Sequence, residues 1–188
     1  MRPIPFILVT ICCALPLASR AQVLTNLPPT EIQNFELQND TVIVKGFGEM
    51  GTLAVEGGDI SVRCKESDNV MAGSKMYGLA VILESNQSRC SCVVDDDELE
   101  SLIRGLDFLD KISYDVTSMP AFDAEFTTRS GLRIAAHSER REGTIQLYLE
   151  FPDTARIPVT PEQFAQFKNL IGQAKKNLDV TKSKNSSS

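Results

Sequence analysis

Apolar and polar residues alternate with a period of two along most of this chain, and twice that period gives way to steps of three and four. From Asp59 to Lys65, the residues Ile60, Val62 and Cys64 alternate with Ser61, Arg63 and Lys65, the signature of a strand buried on one face. The β-branched run Thr41 to Phe47 predicts another strand, entered through a tight turn at Asn39-Asp40. Tyr77 to Leu83 is almost wholly apolar and suits a central strand. After the polar residues Glu84 to Ser88, the strand Arg89 to Val94 completes a hairpin with it.

The first change of period follows. Leu99, Leu102, Ile103, Leu106 and Leu109 fall on one face of a helix. Asp95 and Glu98 have the spacing of a capping box ahead of it, and Asp96 and Asp97 add negative charge at the positive end of its dipole. Alternation then returns in Phe122 to Thr127, Leu132 to His137 and Thr144 to Phe151, with a short strand at Arg156 to Val159. Pro158 has no N–H to donate, which places that last strand at an edge. Thr160, Pro161 and Gln163 open a second helix as N-cap, first helical residue and capping-box partner, and Phe164, Phe167, Ile171, Ala174 and Leu178 form its buried stripe.

The two helix starts resemble each other at a constant offset of 65 residues. Val94-Asp95 with Leu99, Leu102 and Leu106 matches Val159-Thr160 with Phe164, Phe167 and Ile171. The expected fold is therefore α+β: an antiparallel sheet of about eight strands with two helices packed on one face, built as two similar ββββα units over about 34–113 and 120–179. Together they make one domain, 34–179. Residues 22–33, with Pro28 and Pro29, read as a flexible lead-in, and 180–188 as a disordered tail.

Composition adds a destination. Arg2, an apolar run from Ile4 to Ala18, and small residues at Ser19 and Ala21 have the plan of a signal peptide over residues 1–21, cut between Ala21 and Gln22. Cys12 and Cys13 lie inside the apolar run, which disfavours a lipoprotein signal. No integral membrane segment is expected after cleavage. The expected location is secreted or periplasmic. Removing Arg2 and Arg20 lowers the 19 basic residues to 17 against 25 acidic ones, a net charge of −8. That charge disfavours nucleic acid as a partner. Asn39, Asn86 and Asn185 begin glycosylation sequons, which carry meaning only in a eukaryotic secretory pathway.

Candidate chemistry is sparse. Cys64, Cys90 and Cys92 remain after cleavage, an odd number, and strand phase puts all three on apolar sides. A disulfide from Cys64 to Cys90 or Cys92 across neighbouring strands is one expectation, and three buried thiols the other. A zinc site needs about four ligands, and no histidine lies near the cysteines in sequence, so no metal is expected. The acids Asp95 to Asp97 lack the alternate spacing and glycine turn of a calcium loop and read as a helix start. His137 is the only histidine, and no nucleophile elbow, phosphate loop or dinucleotide fingerprint accompanies it. No cofactor is expected. Arg129, Arg133, His137, Arg140 and Arg141 form a basic stretch in an acidic chain, a candidate patch for an anionic ligand or a partner's carboxylates. The functional expectation is an exported, non-catalytic protein that binds a protein or small-molecule partner through an open sheet face. The alternatives are an extracytoplasmic hydrolase using carboxylates or His137, and an envelope structural or assembly factor.

Overall fold

A computed structural model describes residues 27–85, 89–139, 143–152, 154 and 156–185. The expected signal segment, Asn86, Arg140 and Arg141 lie outside the described residues. The chain is α+β and antiparallel, with its eight strands divided into two sheets of four. Strands β1 (Ile43–Val55), β2 (Gly58–Asn69), β3 (Ser74–Ser85) and β4 (Arg89–Asp95) form sheet A in sequential order. Strands β5 (Ala121–Thr127), β6 (Arg133–Glu139), β7 (Thr144–Glu150) and β8 (Ile157–Val159) form sheet B in the same way. A helix follows each sheet: α2 (Leu99–Asp110) after A and α3 (Pro161–Asn185) after B. This is the pair of ββββα units expected from the repeated pattern. A further helix, α1 (Glu31–Glu36), precedes them.

The helices are exchanged between the units. α3 lies on β1, β2 and β3 of sheet A, whereas α2 lies on β5 and β6 of sheet B, and the two helices touch. Each sheet is therefore covered by the helix that belongs to the other half. Phe164, Phe167, Ile171, Ala174 and Leu178 of α3 and Leu99, Leu102, Leu106 and Leu109 of α2 join one continuous core with the even-numbered residues of β2 and the odd-numbered ones of β3. Burial of those stripes supplies the main driving force for association of the halves.

Two glycines mark where helix and sheet come close. A Cβ on Gly105 of α2 would lie 2.6 Å from the Phe126 ring of β5. A Cβ on Gly51 of β1 would lie 2.7 Å from Leu170 of α3, at a φ of 148°. Gly51 also ends the β-bulge that interrupts the β1–β2 register after Glu49, bending the strand over α3.

Two expectations at the chain ends need correction. The lead-in through residue 33 includes the start of α1, which the Thr30–Gln33 capping box opens. The tail from residue 180 continues α3 to Asn185, whose amide donates to the Tyr77 hydroxyl at 2.8 Å. In both places a polar or proline-rich composition is overridden by contacts to sheet A.

Helix propensity and packing oppose each other at Gly105. Gly105→Ala is expected to destabilise the protein by about 1–3 kcal/mol, because overpacking against Phe126 exceeds the gain in helix propensity. Gly172→Ala, in α3, meets nothing within 4 Å and is expected to stabilise by about 0.4–1 kcal/mol. Urea midpoints of the two variants, moving in opposite directions, are the measurement.

Candidate functional site

The stretch with the densest candidate chemistry, Cys90 to Glu98, is a seam between parts of the fold. Asp95 ends β4 on the face opposite the core and is 1 % exposed. Its two carboxylate oxygens accept the N–H groups of Glu31 at 2.8 Å and Ile32 at 3.0 Å, at the start of α1. The Thr30 hydroxyl accepts the Gln33 N–H, and the Gln33 side chain accepts the Thr30 N–H. All four N–H groups that a helix start leaves without intrahelical partners are thereby satisfied. The expected capping box of Asp95 with Glu98 on α2 does not form: neither residue makes a side-chain cap there. Asp95 caps a helix more than sixty residues earlier in the chain instead.

Arg129, at the β5–β6 turn, closes the seam from sheet B. Its guanidinium lies 3.2 Å from Asp95, pairs with Asp97, and approaches Glu31 and Glu98 at 3.5 and 3.6 Å. The hydrogen bond to Asp97 and the neighbouring carboxylates hold its charge more firmly than in water. Asp96 accepts Lys182 of α3 at 2.7 Å. Each acid of the cluster thus has a cation or backbone partner. Among the described residues, no group of three or more His, Cys, Asp and Glu side chains is placed to hold a metal ion.

Cys90 and Cys92 belong to the same stretch, and Cys64 lies two strands away in β2. A disulfide between Cys64 and either Cys90 or Cys92 is corrected by the strand order. β3 lies between β2 and β4, so the Cα atoms are at least two strand spacings, about 9.5 Å, apart, beyond the reach of about 7 Å. The Cys64 thiol donates to the Ala174 carbonyl at 3.4 Å, Cys90 to Pro152 and Cys92 to Ser130. Burial pushes the Cys64 thiol up to about 11 and the Cys92 thiol up to about 12. Both stay protonated, which removes them as nucleophiles.

Glu36 fastens the other end of α1. Its carboxylate accepts Lys45 and Lys65, each at 2.7 Å, and the Ser67 hydroxyl. Burial pushes this carboxyl up, but those three donors outweigh it and hold it below its ordinary value. Between the two clamps, Ile32 is fully buried, and α1 lies against β2, β3 and β4. Ala80, Ile82 and Val93, the buried apolar strand residues on the outer face of sheet A, lie outside the main core.

The outer face of sheet B has no such cover among the described residues. Among the described residues, α2 reaches β5 and β6 and α3 reaches β8, through the core side that carries Phe126, Ile134 and Leu149. The opposite side presents three rows set by the strand register. They are Asp123, His137 and Gln146; Glu125, Ala135, Tyr148 and Pro158; and Thr127, Arg133 and Glu150. His137 Nδ1 lies 2.8 Å from Asp123. Arg133 bridges Glu125 and Glu150 at 3.6 and 3.5 Å. Arg156 reaches Glu150 at 3.4 Å and stands over the Tyr148 ring, 5.9 Å from its centroid. The expected basic patch is thus divided. Arg129 is committed to the seam, while Arg133 and His137 share this open face with Arg156 and three carboxylates, Asp123, Glu125 and Glu150. Asp123 is the hydrogen-bond partner found for the His137 ring among the described residues, and no hydroxyl or thiol is held against it.

No family model, curated protein or solved structure matches this chain.

Two outcomes follow from the clamps on α1. Asp95→Ala strands two helix N–H groups and part of Arg129, and is expected to cost about 2–4 kcal/mol. Asp97→Ala removes a half-exposed ion pair and is expected to cost under about 1 kcal/mol. Amide exchange at Ile32 should accelerate only in the Asp95 variant. For Glu36, the folded pKa lies below the unfolded one, so its contribution is complete above the ordinary carboxylate range and is lost as pH falls through the lowered value. Glu36→Gln is expected to flatten that acid limb of the stability–pH curve, measured by urea unfolding from pH 6 to about pH 3.

Proposed function

We propose that this chain is an exported, non-catalytic protein that holds a protein partner on the open outer face of sheet B. The observation that carries this reading is the asymmetry between two similar units. α1 covers the outer face of sheet A, whereas the same side of sheet B presents Asp123, Glu125, Arg133, His137, Tyr148 and Arg156 to solvent. The signal segment at residues 1–21 supports export.

The shape of the face favours a protein over a small molecule. Small-molecule sites are concave and mostly apolar, whereas this face is a sheet surface with charges of both signs and one aromatic–arginine pair. Tyr and Arg are enriched at the centres of protein interfaces. The depressions beside Phe108 and Val116, of 320 Å³, and between Leu37 and Lys45, of 390 Å³, are lined by other elements. The histidine version of the hydrolase reading rests on the Asp123–His137 pair, which has no adjacent nucleophile to activate among the described residues.

The test is native mass spectrometry of protein isolated from its host's exported fraction, alongside Tyr148→Ala/Arg156→Ala and Asp123→Asn/His137→Asn. A partner carried by the unmodified chain is expected to drop at least tenfold in the first variant, with folding unchanged by circular dichroism. A partner retained at full level by that variant would sink the proposal. Hydrolytic turnover abolished by the second variant would replace it with the hydrolase.

A further inference from the structure

The β1 strand is the edge of sheet A, and its two halves are treated differently. The Val70 N–H donates to the Val42 carbonyl at 3.2 Å, so even-numbered residues at the start of β1 direct their backbone groups toward β2. Lys45, Phe47 and Glu49 direct theirs outward, toward the open edge. After the bulge between Glu49 and Gly51 the phase reverses. There the outward carbonyls of Thr52 and Ala54 are taken by the side chains of Gln166 and Gln163 at 3.4 and 2.8 Å. The second half of the edge is thus closed by α3. Among the described residues, no strand pairs with the first half, where Val44 is 52 % and Phe47 60 % exposed. Uncovered apolar edge strands are templates for pairing with another strand.

We propose that the first half of β1 pairs with the same segment of a second copy of this chain, antiparallel about a two-fold axis at Phe47. The charges favour this register. It sets Lys45 directly opposite Glu49 of the second copy, and Glu49 opposite its Lys45, on the face that carries both Phe47 rings. An axis at Lys45 or at Glu49 would instead oppose like charges, which is unfavourable for directly facing pairs. Lys45 already holds Glu36 at 2.7 Å, and Glu49 holds Arg63 at 2.6 Å. The row across the seam then alternates in sign from Arg63 and Glu49 to Lys45 and Glu36 of the second copy. On the opposite face, Val44 meets Met50, and Gly46 meets Gly48, so no bulky pair blocks the approach. Every facing pair from Lys45 to Glu49 on the Phe47 side is one whose backbone groups point outward, and the bulge ends the pairing. A closed two-fold contact of this kind joins two four-stranded sheets into one and leaves the outer face of sheet B untouched.

The test combines sedimentation of the purified protein with single-cysteine cross-linking. The unmodified chain is expected to sediment at twice the monomer mass at about 100 μM, and Phe47→Lys, a surface change, to sediment as a monomer with an unchanged circular dichroism spectrum. In the proposed register two residues at position 47 lie about 5.5 Å apart by Cα, within disulfide reach. Two residues at position 44 are separated by about 20 Å. Phe47→Cys should therefore form a covalent dimer under mild oxidation, while the equally exposed Val44→Cys should not. A monomeric unmodified chain, a dimer that survives Phe47→Lys, or equal cross-linking of both cysteine variants would overturn the proposal.

Discussion

The carboxylate of Asp95 is the constraint on which the first half of the structure turns. A charged group at 1 % exposure is tolerated only when its oxygens are satisfied, and here two backbone N–H groups and an arginine do so. The same three bonds tie together β4, α1 and the β5–β6 turn, which no local interaction could do. A six-residue helix is not stable by itself. α1 exists because Asp95 supplies its cap, Ile32 fills the outer face of sheet A, and Glu36 anchors its last residue to two lysines.

From that joint the two units diverge. They share four strands and a helix, yet one outer face is covered and the other is bare. The residues at the place of Asp95 in the second unit explain the difference locally. Thr160 caps its own helix through Gln163, and no further helix among the described residues covers the outer face of sheet B. The covered face is lined by Ala80, Ile82 and Val93, whereas the bare one alternates in charge. A polar lining is compatible with water and also with a polar partner, and it is the reason sheet B needs no lid to remain folded.

Much of the architecture was legible from periodicity. Strands with a strict two-residue alternation, such as β2 and β5, and the leucine and phenylalanine stripes of α2 and α3, appear where the pattern places them. The part of β1 beyond Phe47 was not legible, because Gly48 and Gly51 interrupt its alternation and the bulge shifts its phase. α1 had one readable signal, the Thr30–Gln33 spacing, but Pro28 and Pro29 beside it favoured an irregular reading. The role of Asp95 was hidden for a physical reason: capping preference is local, and it pointed to the next helix, whereas burial brought a distant one within reach. The exchange of helices was equally hidden, since an amphipathic stripe states that it will be covered and not by which sheet. The basic stretch near Arg129 illustrates the same limit, because Arg129 ends at the seam while Arg133, four positions on, ends on the open face of sheet B.

The exchange of helices also has a meaning in time. During synthesis, sheet A and α2 leave the ribosome well before α3, yet α3 is the element that covers the core face of sheet A. Until the last turns of the chain emerge, Ile60, Val62, Leu79 and Val81 have no partner layer, and the earlier half waits as an unfinished surface. Completion by the C-terminal helix makes folding an event of the whole chain and not of successive halves. The native core cannot close before α3 has joined it.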